Sequence, residues 1–372
     1  KQHNITRTTM TAVQEKSSRT YRRYATMPSW IALSVVSVII MQCQMLCVVS
    51  AFGDFALPKM PWDKPSQNPG GAKSSDQLQP GDTVAVIGAS GNVGKLVALR
   101  LSDTFKVNGV VRDASRVAPF FEGRTNIQLY EADLLGEKFQ GECPASLRPA
   151  LEKANAIVIC TGTTAFPTEA WSRSEDTSVT SDVVKALVDN GFNWQKAIAS
   201  LDELGLNTPA NVDARANEFL LDAWDAASKV KQKRAILLSS IGVQRRTTMP
   251  FPILNACGVL DAKAVAEESL QQHASDGGYS YTIVRPGQLF GGPYDNNYYL
   301  GTLFQLDKDE STQNVEVGKG DELLGDTLRS TLAEVTAQLM EEDFCRDMDF
   351  TVINAKGDTP SVDALQDSLK SL

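Results

Sequence analysis

Thr83-Val84-Ala85-Val86-Ile87-Gly88-Ala89-Ser90-Gly91-Asn92-Val93-Gly94 decides the fold of this chain. Its first five residues are apolar and β-prone, the pattern of a short strand buried on both faces. Three glycines follow at regular spacing, and the stretch 93–101 then reads as a helix. Strand, Gly-x-x-Gly-x-x-Gly and helix together suit one task. Gly88 permits the tight turn, Gly91 lets backbone approach a pyrophosphate, and Gly94 lets the helix pack on the strand. The N–H groups of the helix start then face the phosphates with a partial positive charge. Gly88, Ser90, Gly91, Asn92, Val93 and Gly94 are therefore the expected dinucleotide-binding residues. Two near misses are set aside. A Walker A reading of 89–96 fails because Ala89 and Leu96 replace its first glycine and its Ser/Thr. Ser90 lacks the Gly-x-Ser-x-Gly frame of a nucleophile elbow.

Outward from this loop, strands are expected at 105–111, 127–130, 156–160, 235–239, 281–284 and 350–353. Helical patterns at 211–230, 261–272 and 327–342 alternate with them. The alternation predicts an α/β fold, a doubly wound, mostly parallel Rossmann sheet over 81–372, with a small C-terminal cap on the substrate side. Residues 168–207 interrupt the pattern and are read as a surface insertion.

The end of the second strand is where a dinucleotide's second phosphate is read. An acid there marks NAD, an Arg NADP. Val110-Val111-Arg112 ends that strand and Arg116 follows, a pair of guanidiniums suited to a 2′-phosphate. NADP(H) is the expected cofactor, with NAD(H) as the alternative because Asp113 adjoins Arg112 and softens the preference. Asp133, after the third strand, is placed at the adenine edge. Thr161 and Gly162, after the fourth, are placed where backbone passes close to the cofactor.

Composition bounds the rest. The chain has 372 residues and a net charge of −9, which disfavours nucleic acid as a partner. Its six cysteines form no Cys-x-x-Cys pair and read as free thiols. His3 and His273 are the only histidines, which excludes His-Glu-x-x-His zinc chemistry; no metal site is expected, and His273 is read as facing water. Ahead of the fold lie a basic leader with an apolar run at 30–52, and a Pro- and Gly-rich linker at 52–80. The chain starts on Lys1, so Met10 and Met27 are read as possible starts. The run is long enough to span a bilayer as an anchor, but Val49-Ser50-Ala51 fits a signal-peptide cleavage site. With Phe52 next, this leader resembles the bipartite plastid presequences of algae, which implies a plastid location.

The chain as a whole resembles the atypical short-chain dehydrogenase/reductases with an NAD(P)H-binding, NmrA-like domain, especially plastid members of plants and algae. The likeness rests on 88–94, 110–112, Ala132-Asp133-Leu134, 160–167, Asn207-Thr208-Pro209, Val212-Asp213, 238–243 and Arg285-Pro286-Gly287. It implies a catalytic Ser after the fifth strand, matched by Ser240, and a Tyr-x-x-x-Lys pair. Lys263 matches the Lys, which would act in catalysis and hold the cofactor ribose, but Val259 stands at the Tyr. Isoflavone-reductase-like relatives work with a Lys and no such Tyr. The plain alternative for Lys263 is a surface ion pair with Glu267, one turn on. Tyr294, Tyr298 and Tyr299 offer replacement hydroxyls or packing aromatics. Two functions follow as expectations: an NADPH-dependent reductase of a small carbonyl or unsaturated compound, and a non-catalytic NADP(H)-binding scaffold or assembly factor for a plastid complex. A sugar-nucleotide epimerase-like enzyme is a weaker third, since loss of the Tyr counts against it too.

Overall fold

A computed structural model describes residues 77–137, 139–173, 179–291 and 312–372. The apolar run at 30–52, the leader and the linker up to residue 76 lie outside the described residues, as do Tyr294, Tyr298 and Tyr299.

In chain order the elements are β1 (Thr83–Ile87), α1 (Gly94–Leu101), β2 (Lys106–Val111), β3 (Ile127–Glu131), α2 (Arg148–Leu151) and β4 (Ala156–Ile159). Then come α3 (Val179–Asp189), α4 (Trp194–Glu203), a π-helical turn (Ala210–Arg215) running into α5 (Ala216–Ala227), and β5 (Arg234–Leu238). The chain continues with α6 (Phe251–Leu254), α7 (Val259–Gly277), β6 (Ser280–Pro286), β7 (Gln288–Phe290), β8 (Asn314–Lys319) and β9 (Asp326–Leu328). It ends with α8 (Arg329–Glu341), β10 (Met348–Ala355) and α9 (Val362–Lys370).

The sheet runs β3-β2-β1-β4-β5-β6-β10-β9-β7, with β8 paired to β10. From β3 through β6 and on to β10 every pairing is parallel; β8 and β9 meet β10 antiparallel. Because β1 lies between β2 and β4, the strand order reverses beside it. That places a crevice at the carboxyl end of β1, where open α/β sheets bind ligands. Along β1 successive side chains enter opposite cores: Val84 and Val86 pack with Val97 and Val335, while Ala85 and Ile87 pack with Leu220 and Trp224. The continuous apolar reading of this strand follows from helices covering both faces.

Seven strands are legible in the sequence, and the sheet has ten among the described residues. β7 and β9 are three residues each, too short to carry a period. β8 is a half-exposed strand paired only with β10, and its polar residues hide it. Residues 168–207 contain α3 and α4 and are tied inward at two points. Trp171 is fully buried and donates from Nε1 to Thr164 O (3.2 Å), in the loop after β4. Trp194, at the start of α4, donates to Ala256 O (2.9 Å), in the turn before α7. The segment therefore reaches from the loop after β4 to the loop after β5, both at the carboxyl end of the sheet. Among the described residues no helix is long and apolar enough to cross a membrane.

Candidate functional site

The glycine loop is built as its spacing requires. Gly88 has φ +79° and, with Ala89, donates to Val110 O at 3.1 and 3.2 Å, locking the turn to the end of β2. Gly91 donates to Gly88 O at 2.9 Å. A Cβ on Gly94 would lie 2.1 Å from Gly88 O, an impossible approach, so the first turn of α1 can only be glycine there. Ser90 and Gly91 are exposed, Asn92 half-buried, and Val93 buried with its side chain in the core. Val93 thus offers a phosphate its backbone only. This cradle of close backbone at the start of an eight-residue helix fits a dinucleotide pyrophosphate.

At the end of β2, Arg112 and Arg116 are both exposed, and Arg112 has no ion pair to a described residue. Asp113 does not reach outward beside them. Its Oδ1 accepts Ser115 Oγ at 2.6 Å and Arg116 N at 3.3 Å, closing a small turn. The Ser115 hydrogen bond, joined by backbone N–H groups, holds this carboxyl below its ordinary range. Glu131 Oε1 accepts Ala114 N at 2.8 Å and pins the same turn to β3. Both acids near the arginines are therefore engaged in holding the loop.

Asp133 follows β3, as the adenine-edge reading requires, but it is already engaged. One oxygen pairs with the Arg173 guanidinium and the other accepts Leu135 N at 3.3 Å. Arg173 comes from the 168–207 segment, and no periodicity or motif marks it. Thr161 lies against the glycine loop, since a Cβ on Gly88 would stand 3.3 Å from Thr161 N, and Gly162 follows it. Thr161 Oγ1 donates to Asn217 Oδ1 at 2.8 Å, and Asn217 Nδ2 donates to Asp213 O at 2.8 Å. The β4 loop is thereby fixed to the start of α5.

Lys263 departs from the surface-pair alternative. Its Nζ lies 2.8 Å from Asp213 Oδ1, and both side chains are largely buried. Asp213 Oδ2 accepts Thr163 N at 3.2 Å. Burial pushes the Asp213 carboxyl above its ordinary range, against the pull of the Lys263 ammonium. A Cβ on Gly162 would stand 3.3 Å from Asp213 Oδ1 and 3.6 Å from Lys263 Nζ, so the pair packs directly under the β4 loop. Glu267 turns the other way and is buried. It takes two bonds from Arg285, at 2.9 and 2.6 Å, and one from Ser239 Oγ at 2.5 Å. Arg285 also pairs with Asp349. An exposed Lys263–Glu267 pair is ruled out because both partners find stronger, buried counter-charges.

Ser239 is thus consumed in the interior, while Ser240 is half-buried and donates to Ile241 O at 3.0 Å. Val259 is not simply a missing hydroxyl. It is 5% exposed within an apolar cluster of Ile241, Val243, Phe251 and Leu260, so the Tyr position is filled by packed hydrocarbon. His273 does not face water freely. It lies 2.6 Å from Asp225 on α5, and that hydrogen bond raises its pKa. Asp213 and Arg173 are the residues that sequence reasoning missed. Val212-Asp213 carried resemblance but no role, and nothing local shows which cation the Asp meets. Among the described residues no group of three His, Cys, Asp or Glu side chains could hold a metal ion.

Several solved structures are similar to this chain. A putative NAD-dependent epimerase/dehydratase from Bacillus halodurans is 21% identical, covering 78% of this chain and 100% of that one, with a TM-score of 0.49. An oxidoreductase from Lactococcus lactis is 19% identical, covering 78% and 96%, with a TM-score of 0.48. The anaerobillin reductase ChuY from Escherichia coli O157:H7 is 17% identical, covering 75% and 100%, with a TM-score of 0.46. Likeness at this level carries no activity from those proteins to this chain. No curated protein matches it. The model of the NAD(P)H-binding family matches residues 88–343, from the first glycine of the loop to just past α8, and the chain belongs to that family.

Proposed function

We propose that the protein is an NADPH-dependent reductase of a small carbonyl or unsaturated compound. The observation that carries this is the Lys263–Asp213 pair beneath Gly162: a buried cation at the carboxyl end of the sheet, beside the β4 loop. Bound reduced nicotinamide would supply the hydride. Lys263 donates a proton from Nζ to the substrate oxygen, and the Ser240 hydroxyl orients that oxygen. The amine regains its proton from solvent. Val259 takes no part in proton transfer and is packed in the apolar cluster.

The preference for NADPH over NADH rests on Arg112 and Arg116, with Asp113 folded back on Ser115 and not turned toward a ribose hydroxyl. Asp133 would serve the adenine edge once its pairing with Arg173 opens or is shared.

A second reading is a non-catalytic NADP(H)-binding scaffold in a plastid, and the packed Val259 favours it. NADPH oxidation across a panel of quinones, aldehydes and enones separates the two. The reductase reading expects turnover on at least one class. Tight NADPH binding with no turnover on any would replace it with the scaffold. The leader carries a proposal of its own: residues 1–80 direct the protein to a plastid through a cleaved signal. A fluorescent fusion of those residues tests it, and diffuse cytosolic signal would reject it.

A further inference from the structure

We propose that Asp213 is the positioning residue of the site, a buried carboxylate that acts on cofactor and substrate through Lys263. This rests on the NADPH-binding reductase reading above.

The argument starts from the backbone. Residues Ala210–Arg215 form a π-helical turn, not an α-helical one, directly ahead of α5. The wider turn faces both Asn211 and Asp213 inward. Such turns are rare and gather at functional sites. Asn211 serves structure, since its Nδ2 donates to Asp202 O at 3.0 Å and Leu206 O at 2.8 Å. Asp213 points instead to the β4 loop and to α7. Its carboxyl is fully buried, and a carboxylate there is tolerated only with a cation and hydrogen bonds supplied. Lys263 Nζ and Thr163 N supply them.

The consequence is positional. Lys263 has a long, flexible stem, and a surface ammonium on such a stem would sample many rotamers. Here it is held at one point, because moving away would strand a buried charge. The same carboxylate holds the β4 loop through Thr163 N, so the cation and the loop move as one body. The Cβ direction of Gly162 points at the pair, 3.3 Å from Asp213 Oδ1 and 3.6 Å from Lys263 Nζ, so the loop backbone and the pair are in close approach. The acid in the first turn of α7, Asp261, is committed elsewhere, to Arg246 at 2.9 Å and Asn255 at 2.9 Å. With Val259 inside the apolar cluster, Lys263 is the ionisable group that this helix start turns toward Gly162.

The test is a cycle of Asp213→Asn, Lys263→Met and the double variant. NADPH affinity is read by fluorescence titration, and steady-state turnover runs alongside. Asn keeps an acceptor for Thr163 N–H and nearly the same shape, and removes only the charge. NADPH affinity should fall about tenfold in each single variant, as for a lost charge-assisted hydrogen bond, and no further in the double. In Asp213→Asn, kcat should fall at least about tenfold while KM for the carbonyl substrate moves less than about threefold, a split that a purely structural loss would not produce. Affinity losses that multiply in the double, or an Asp213→Asn protein that binds and turns over as the parent, would overturn the proposal. If Asp213→Asn does not fold, Gly162→Ala replaces it, because its methyl would press on the pair without removing either charge. Parent-like kcat in that variant would equally overturn the proposal. A parent that binds NADPH yet reduces nothing would refute the reductase reading alone, and the affinity cycle would then decide the role of Asp213.

Discussion

Lys263 and Glu267 stand one turn apart on α7 and turn away from each other, Lys263 to Asp213 and Glu267 to Arg285. The helix thus carries two separate buried ion pairs, one under the β4 loop and one beneath the sheet end of β6. Function and stability are divided between them. Lys263→Ala should lower turnover by roughly 10²–10⁴-fold, the usual worth of a positioned acid or base. Steady-state NADPH oxidation at saturating substrate measures it. Unchanged turnover would mean that the proton comes from elsewhere.

Arg285→Met should act on stability. Arg285 is buried between Glu267 and Asp349; burial is the largest single influence and lowers its pKa, but the hydrogen bonds and charges of Glu267 and Asp349 together more than offset it and hold the guanidinium charged. Its removal leaves Glu267 as an uncompensated buried charge, which costs about 3–5 kcal/mol. Urea unfolding followed by circular dichroism would show the midpoint falling with little change in slope. A loss below about 1 kcal/mol would contradict the burial argument.

Gly94→Ala tests the cradle. The added methyl would meet Gly88 O at 2.1 Å, so α1 must move off the loop. Overpacking of this kind costs about 1–3 kcal/mol, and the displaced N–H groups should weaken NADPH binding by more than about tenfold. Thermal melting with and without NADPH reads both effects. A variant that keeps the parent's ligand-induced shift in Tm would show that the loop does not hold the phosphates.

Arg112→Ala addresses the choice of cofactor. With Asp113 and Glu131 engaged in the loop, Arg112 is left for the 2′-phosphate. NADPH affinity should fall by about tenfold or more, as for a lost charged hydrogen bond, and NADH affinity should stay unchanged. Calorimetric titration with both nucleotides decides it. Equal losses for the two would assign Arg112 to the shared diphosphate.

His273 sets a pH dependence. Its hydrogen bond to Asp225 raises the folded-state pKa above the ordinary imidazole range. Protonation therefore stabilises the fold. That contribution is complete below the unfolded-state value and is lost as pH rises through the folded-state one. At this half-exposed position it amounts to about 0.5–1 kcal/mol. Comparing the stability of the parent with that of His273→Gln from pH 6 to 9 should show a difference that shrinks as pH rises. A difference that grows would reverse the sign of the linkage.

The sequence by itself determined the Rossmann half of the molecule. Unbroken apolar strands, glycines at fixed spacing and alternating helices are local patterns, and a local pattern is read where neighbours in sequence are neighbours in space. The strand ends and turns that carry the glycine loop, Arg112, Asp133, Thr161 and Gly162 were legible for that reason. The tertiary structure alone decided the partners of the charges. Asp213 meets Lys263 across two helices, Arg173 meets Asp133 from the 168–207 segment, and Arg285 draws Glu267 away from its helical neighbour. The cause is physical. A buried charge is stable only where its counter-charge is also buried. Which two groups share that interior is set by how the layers pack, and spacing along the chain does not encode it.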